Sequence, residues 1–117
     1  MTATHVSGRH ARIDVSLDGI RITRSASDAA RRHVDRSYEI DWDRVAGATL
    51  QTSRKGRSIV RVAVTDAPSV ASHRDDPYAV KVSRAEAADA PALVELIEHE
   101  VRVRRSWREQ APTPAVG

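Results

Sequence analysis

Six short runs in this chain alternate apolar with polar residues, and one later segment changes to a spacing of three and four. Alternation buries one face of a β-strand, whereas the longer spacing lines one side of a helix. The pattern therefore predicts six strands followed by a single amphipathic helix. Ile13, Val15 and Leu17 alternate with Arg12, Asp14 and Ser16, and Ile20 to Arg24 repeats the alternation. Between them Asp18-Gly19 predicts a type I′ hairpin, whose two central residues both need positive φ.

Residues 25–36 are polar and rich in Ala and Arg, a loop or one short helical turn capped by Ser27 or Asp28. Tyr38, Ile40 and Trp42 make a third strand that ends at Asp43-Arg44. Val45 to Thr52 is a fourth, with Gly47 placed for a bulge. The loop Arg54-Lys55-Gly56-Arg57 turns it into a fifth, Ser58 to Thr65. There Val60, Val62 and Val64 face the core, while Ile59, Arg61 and Ala63 face away beside Thr49, Gln51 and Ser53, a flat face open to an added strand or a second copy. A polar loop over 66–76, carrying Pro68, His73, Asp75 and Asp76, leads to a sixth strand with Tyr78, Val80 and Val82 on one side.

Ser83-Arg84-Ala85-Glu86 has the form of a capping box, but Pro91 lies too deep for an unbroken helix from Ser83. Asp89 is the better cap, with Pro91 in the first turn, where proline has no hydrogen bond to lose. Leu93, Leu96, Ile97, Val101 and Arg104 then form one stripe on a helix of Ala90 to about Arg105. Glu98 and Glu100 stand four residues before Arg102 and Arg104, the spacing of helical ion pairs. The chain divides into a flexible arm (1–10), one domain (11–106) and a disordered tail (107–117) marked by Pro112 and Pro114.

Composition narrows the function. With 117 residues there is room for one domain. Aromatics are only 3% and Phe is absent, so the core must be built from Val, Ile, Leu and Ala. The absence of cysteine excludes a disulfide framework, a thiolate zinc site and a cysteine nucleophile. No apolar run reaches the roughly 20 residues of a membrane helix, and the first residues lack a signal peptide's apolar stretch. A cytoplasmic protein is expected.

Short meanders that end in an amphipathic helix imply a mainly β fold, a bent sheet or open barrel of six to seven antiparallel strands capped by that helix. The order resembles the pleckstrin-homology-like fold, and in particular the small PH-like domains of Arg-rich actinobacterial proteomes. The resemblance is carried by Ile13 to Leu17, the Asp18-Gly19 turn, Ile20 to Thr23, the segment Tyr38 to Gly47, and Asp76 to Val80 leading into the helix. Lipid-binding members of that family grip inositol phosphates with basic residues in the loop between their first two strands. Here that loop is read as Asp18-Gly19, acid in place of base. The resemblance thus implies protein or peptide binding in place of phosphoinositide binding.

Two basic constellations are candidate sites. Arg31, Arg32, Arg36, Arg54, Lys55, Arg57 and Arg61 sit in loops that can converge and attract phosphate, since Arg offers a planar fork of donors. The competing account is a solvated set of loops in a protein where every basic residue but Lys55 and Lys81 is Arg. The second constellation is Arg102, Arg104, Arg105, Trp107 and Arg108 at the helix end, suited to a membrane surface, to the barrel edge or to a partner subunit. The five histidines are scattered, with no metal-ligand spacing. His73 with Asp75 and Asp76 is the nearest to one. No catalytic pair, cofactor motif or metal site is expected, and no small-molecule substrate. The first functional expectation is a non-enzymatic module docking a protein or peptide and self-associating. The second is a peripheral binder of anionic surfaces, phospholipid or nucleic acid.

Overall fold

The computed structural model describes residues 4–68 and 70–110. Seven strands form two antiparallel sheets. One holds β1 (His5–Ser7), β2 (Ala11–Val15), β3 (Gly19–Arg24) and β4 (Ser37–Asp41) in chain order. The other holds β5 (Val45–Thr52), β6 (Ser58–Val64) and β7 (Ala79–Lys81). Helix α1 (Ala26–Arg32) joins β3 to β4, and α2 (Ala90–Gln110) follows a 3-10 segment, Arg84–Asp89.

The mainly β architecture with a C-terminal helix is as expected, but the sheets do not close into a barrel. They meet at one corner, where the Ser83 amide donates to the Ser7 carbonyl at 3.0 Å. Gly8 makes that approach possible: a Cβ there would stand 1.9 Å from the Lys81 carbonyl oxygen. Both sheets and α2 share one aliphatic core, with Ile13, Ile22 and Ile40 from the first sheet, Val60, Val62 and Val80 from the second, and Leu93, Ile97 and Val101 from the helix. Trp42 closes the core near the end of α2. Its indole Nε1 donates to the Ser16 carbonyl at 3.0 Å, and the Arg104 guanidinium lies 5.1 Å from its ring centre.

Several local expectations are corrected. Residues 5–7 of the expected arm are strand β1, pairing through Val6 and Ile13, and Val6 is completely buried. The β2–β3 turn tips at Leu17-Asp18, since Ser16 donates to Gly19 and Val15 pairs with Ile20. Asp18 does not have positive φ, and Leu17 is 87% exposed instead of facing the core. The cap of α1 is Ser25, whose hydroxyl accepts from the Asp28 amide at 3.3 Å. The Ser83–Glu86 capping box is absent, in keeping with the preference for a helix that starts at Ala90: the Glu86 carboxylate accepts from the Ser7 amide at 3.0 Å and from the Ser7 hydroxyl.

Glu98 likewise turns away from Arg102 and accepts from the Ala48 amide at 2.9 Å, beside the bulge that falls at Gly47 as predicted. Glu100 and Arg104 pair as predicted, at 3.3 Å. The expected tail begins too early, because α2 runs to Gln110; residues 111–117 lie outside the described residues, as do 1–3 of the arm. Ile59 is buried, not exposed, while Thr49, Gln51 and Ala63 stand exposed on the outer face of β5 and β6 as expected, and Arg61 on that face is tied to Asp76 and to the Val70 carbonyl.

Among its described residues the long loop over 65–78 has almost no secondary structure and is held by arginines. Arg24 is 2% exposed. Its Nη2 donates to the Pro77 and Ala79 carbonyls at 2.8 and 2.6 Å, its Nε to the Tyr38 hydroxyl at 2.8 Å, and its Nη1 to Asp28 at 2.8 Å. Tyr38 in turn donates to the Pro77 carbonyl. Arg32 donates to the His73 and Asp76 carbonyls at 2.8 and 2.6 Å and to Asp28 at 3.1 Å. Arg61 binds the Asp76 carboxylate at 2.9 Å and the Val70 carbonyl at 2.6 Å.

Asp28 is the common counter-ion. Burial alone would raise its pKa, but hydrogen bonds from Arg31, Arg24 and Arg32 outweigh that and hold it at about 2, below the ordinary 3.8. A depressed carboxyl contributes stability above its unfolded pKa and loses it as pH falls through the folded one. Asp28 therefore contributes about 2 kcal/mol that is complete above pH 4 and disappears toward pH 2. Asp28→Asn leaves two buried guanidiniums beside a neutral partner and is expected to cost about 3 kcal/mol near neutral pH. It should also flatten the acid limb of stability. Urea melts over a pH series check both, and a neutral-pH melt matching the unsubstituted protein would refute this anchoring.

Candidate anion-binding cavity

The interstrand segments that gather at the α1 end of the sheets enclose a cavity of about 280 Å³. The turn between β1 and β2 supplies Arg9 and His10, and α1 supplies Arg31 and Arg32. Arg57 enters from the β5–β6 turn, His73 and Arg74 from the 65–78 loop, and Lys81 from β7. Arg24 and Asp28 complete the lining, which thus holds seven cations and one carboxylate.

Local sequence places each of these groups. Arg9 follows the corner glycine, Gly8. His33, with φ of 58°, ends α1 in the left-handed conformation and fixes the last turn that bears Arg31 and Arg32. Gly56, with φ of 77°, tightens the turn ahead of Arg57, whose amide donates to the Ser53 hydroxyl at 3.0 Å. His73 and Arg74 are held in place through the carbonyls that Arg24 and Arg32 grip.

The lining arginines divide into two kinds. Arg24 and Arg32 spend their donors on Asp28 and on backbone carbonyls, and Arg31 reaches Asp28 at 3.0 Å from an exposed position. Among the described residues, Arg9, Arg57, Arg74 and Lys81 take part in no ion pair. The Arg57 Nε is buried and has no hydrogen-bond partner among the described residues. An orphaned buried donor of this kind costs about 1–3 kcal/mol, and a bound anion would supply the missing acceptor. The field of the cluster is felt by His73, whose pKa is lowered by burial first and then by Lys81, Arg74, Arg32 and Arg61.

The structure brings together Arg31, Arg32 and Arg57 of the candidates, and places Arg54 and Lys55 beside them in an adjoining recess shared with His73, Arg74 and Lys81. It separates the others. Arg36 lies outside the cavity, with its Nε 3.5 Å from the Arg24 carbonyl. Arg61 lies on the outer face of β6, tied to Asp76. Arg104 is half-buried against Trp42 and donates to the Leu17 carbonyl at 3.0 Å, at the opposite end of the β2–β3 ladder from Arg9. Arg105 and the 62% exposed Trp107 lie beyond it on α2, so this second constellation does not join the first. Among the described residues no cluster of metal-ligating side chains forms around His73, Asp75 and Asp76; Asp76 is spent on Arg61 and on the Tyr78 amide.

Arg9, Arg74 and Lys81 were missed because each is a lone cation in its own segment, and only the folded loops make them neighbours. In phosphate-free buffer His73 is expected to titrate below 6.5, and an anion held among Arg74, Lys81 and Arg57 should move it upward. A histidine NMR titration with and without pyrophosphate reads this directly; an unmoved His73 at saturation would place the anion elsewhere. No family model, curated protein or solved structure matches this chain.

Proposed function

We propose that the chain is a non-enzymatic binding module of pleckstrin-homology-like build that holds an anionic ligand in the basic cavity. The observation that carries this reading is the lining itself, seven cations against one carboxylate, with the Arg57 Nε buried and unpartnered among the described residues. Electrostatics of this kind gives affinity for phosphate-class groups through charge-assisted donors, and no step of turnover is needed.

The order of strands supports the PH-like part of the reading: a four-stranded sheet, a three-stranded sheet and a terminal helix. So does strand β1. With it in place, the loop between the first two strands is not Asp18-Gly19 but residues 8–10, which carry Arg9 and His10. The acidic departure that argued against anion binding belongs to the second loop. This moves the anionic ligand ahead of the protein partner. A second reading, docking of a protein at the far end, is favoured by one feature, the exposure of both Leu17 (87%) and Trp107 (62%) on either side of Arg104.

Binding of pyrophosphate, followed by calorimetry, is expected to weaken steeply with added salt, because fixed cations neutralise ligand charge. Arg57→Met with Lys81→Met should weaken it about tenfold or more per lost charge-assisted contact. Removing the same charge at Arg102 and Arg105, both exposed on α2, should leave it within about twofold, an estimate for charges screened beyond a Debye length. Equal losses from the two pairs would mean that net charge, not the cavity, does the binding.

A further inference from the structure

We propose that the solvent side of α2 is the interface of a two-fold dimer, in which α2 packs antiparallel against α2 of a second copy of the chain. The helix buries Leu93, Ile97 and Val101 in the core. Leu96, which the sequence placed in that stripe, stands outside it and half-buried, as does Val103. Ala92, Leu96, Val103 and Trp107 follow one another at intervals of four, seven and four residues, which sets them along one line of the helix beside its core face. Trp107, at the end of that line, is 62% exposed. Capping the sheets requires only the first line. The second carries a tryptophan, the side chain that contributes most when an interface covers it.

Charge along the helix selects a second copy as the occupant and an antiparallel arrangement. Apart from Glu109, every carboxylate of α2 precedes every arginine. Glu98 and Glu100 are engaged within the chain, by the Ala48 amide and by Arg104. Glu95 and Arg102 are both exposed and, among the described residues, take part in no ion pair. They stand seven residues apart on either side of His99, on the solvent flank of the apolar line. An antiparallel neighbour related by a two-fold axis near His99 sets Glu95 of each copy beside Arg102 of the other. In the same register Leu96 meets Val103 and Trp107 meets Ala92. Each contact occurs twice, as an isologous interface requires. A parallel neighbour would set Glu95 on Glu95 and Arg102 on Arg102, so charge opposes it. The basic cavity takes no residue from α2, so the dimer and the anion site stand or fall separately.

Sedimentation equilibrium of the full chain over a concentration series tests this, and a monomer–dimer equilibrium is expected. Glu95→Arg and Arg102→Glu, each alone, should weaken the dimer about tenfold, since two reciprocal ion pairs become two repulsions. The two substitutions combined in one chain should restore it, and so should the two single variants mixed in equal amounts. Trp107→Gln should weaken it at least as much as either reversal. All three positions are exposed, and circular dichroism spectra matching the unsubstituted protein check that each variant is folded. A chain that stays monomeric at every concentration overturns the proposal. A dimer that neither single reversal weakens also overturns it, by placing the interface elsewhere. So does a dimer weakened by the reversals but restored by neither the swap nor the mixture, because net charge and not reciprocal contact would then control association.

Discussion

A buried ion pair, Arg24 with Asp28, is the interaction on which the site depends. Arg24 ends β3 on the same face as Ile20 and Ile22, so the strand delivers a guanidinium to a place where the core would otherwise take a hydrophobe. Desolvating that charge costs several kcal/mol, and the cost is offset only because all of its surroundings answer: Asp28 from α1, the Tyr38 hydroxyl from β4, and two carbonyls at the start of β7. Three chain segments are thereby tied to one side chain of a fourth, β3. The 65–78 loop, too long to be rigid by its own hydrogen bonds, takes its course from these carbonyl contacts and from the parallel ones of Arg32 and Arg61.

The composition explains why a polar group does this work. A chain without Phe has few side chains large enough to fill the space at the open end of two short sheets. Its aromatics are instead used by their polar tips, Trp42 through its indole N–H to Ser16 and Tyr38 through its hydroxyl to Pro77 and Arg24. Aliphatic side chains fill the centre, and arginine, with a long apolar stem and five donors, fills and satisfies the edge.

Much of this fold could be read from the sequence wherever burial repeats. β2 and β3, together with the Leu93, Ile97 and Val101 stripe of α2, follow from period alone because several inward residues recur in each, whereas β6 buries Ile59 beside Val60 against the alternation. β1 could not be read, since three residues with one buried valine make no period. The β2–β3 turn was misplaced for another reason: moving the tip by one residue changes the residue opposite Ile20 from Leu17 to Val15 and leaves Ile13, Val15, Ile20 and Ile22 on their own faces, so alternation cannot choose between the two registers. Arg24 did carry a signal, a charge at the parity of Ile20 and Ile22, and that parity marks the buried network. The cavity carried none. Arg9, Arg57, Arg74 and Lys81 come from four separate segments, and their proximity is a property of the loops' path rather than of any motif.

Structure and binding are also coupled through charge. Asp28 is one carboxylate against the three guanidiniums of Arg24, Arg31 and Arg32, and the other cations of the lining take part in no ion pair among the described residues. Such a cluster opposes itself: like charges gathered in a partly desolvated space raise the free energy of the folded state. A ligand that neutralises them therefore does more than occupy a cavity. It relieves a repulsion, supplies an acceptor to a buried Arg57 Nε, and binds the folded form alone, so its affinity appears directly as stability. The fold tolerates the unliganded cluster because the Arg24–Asp28 pair anchors the same loops from beneath, where solvent and salt reach least.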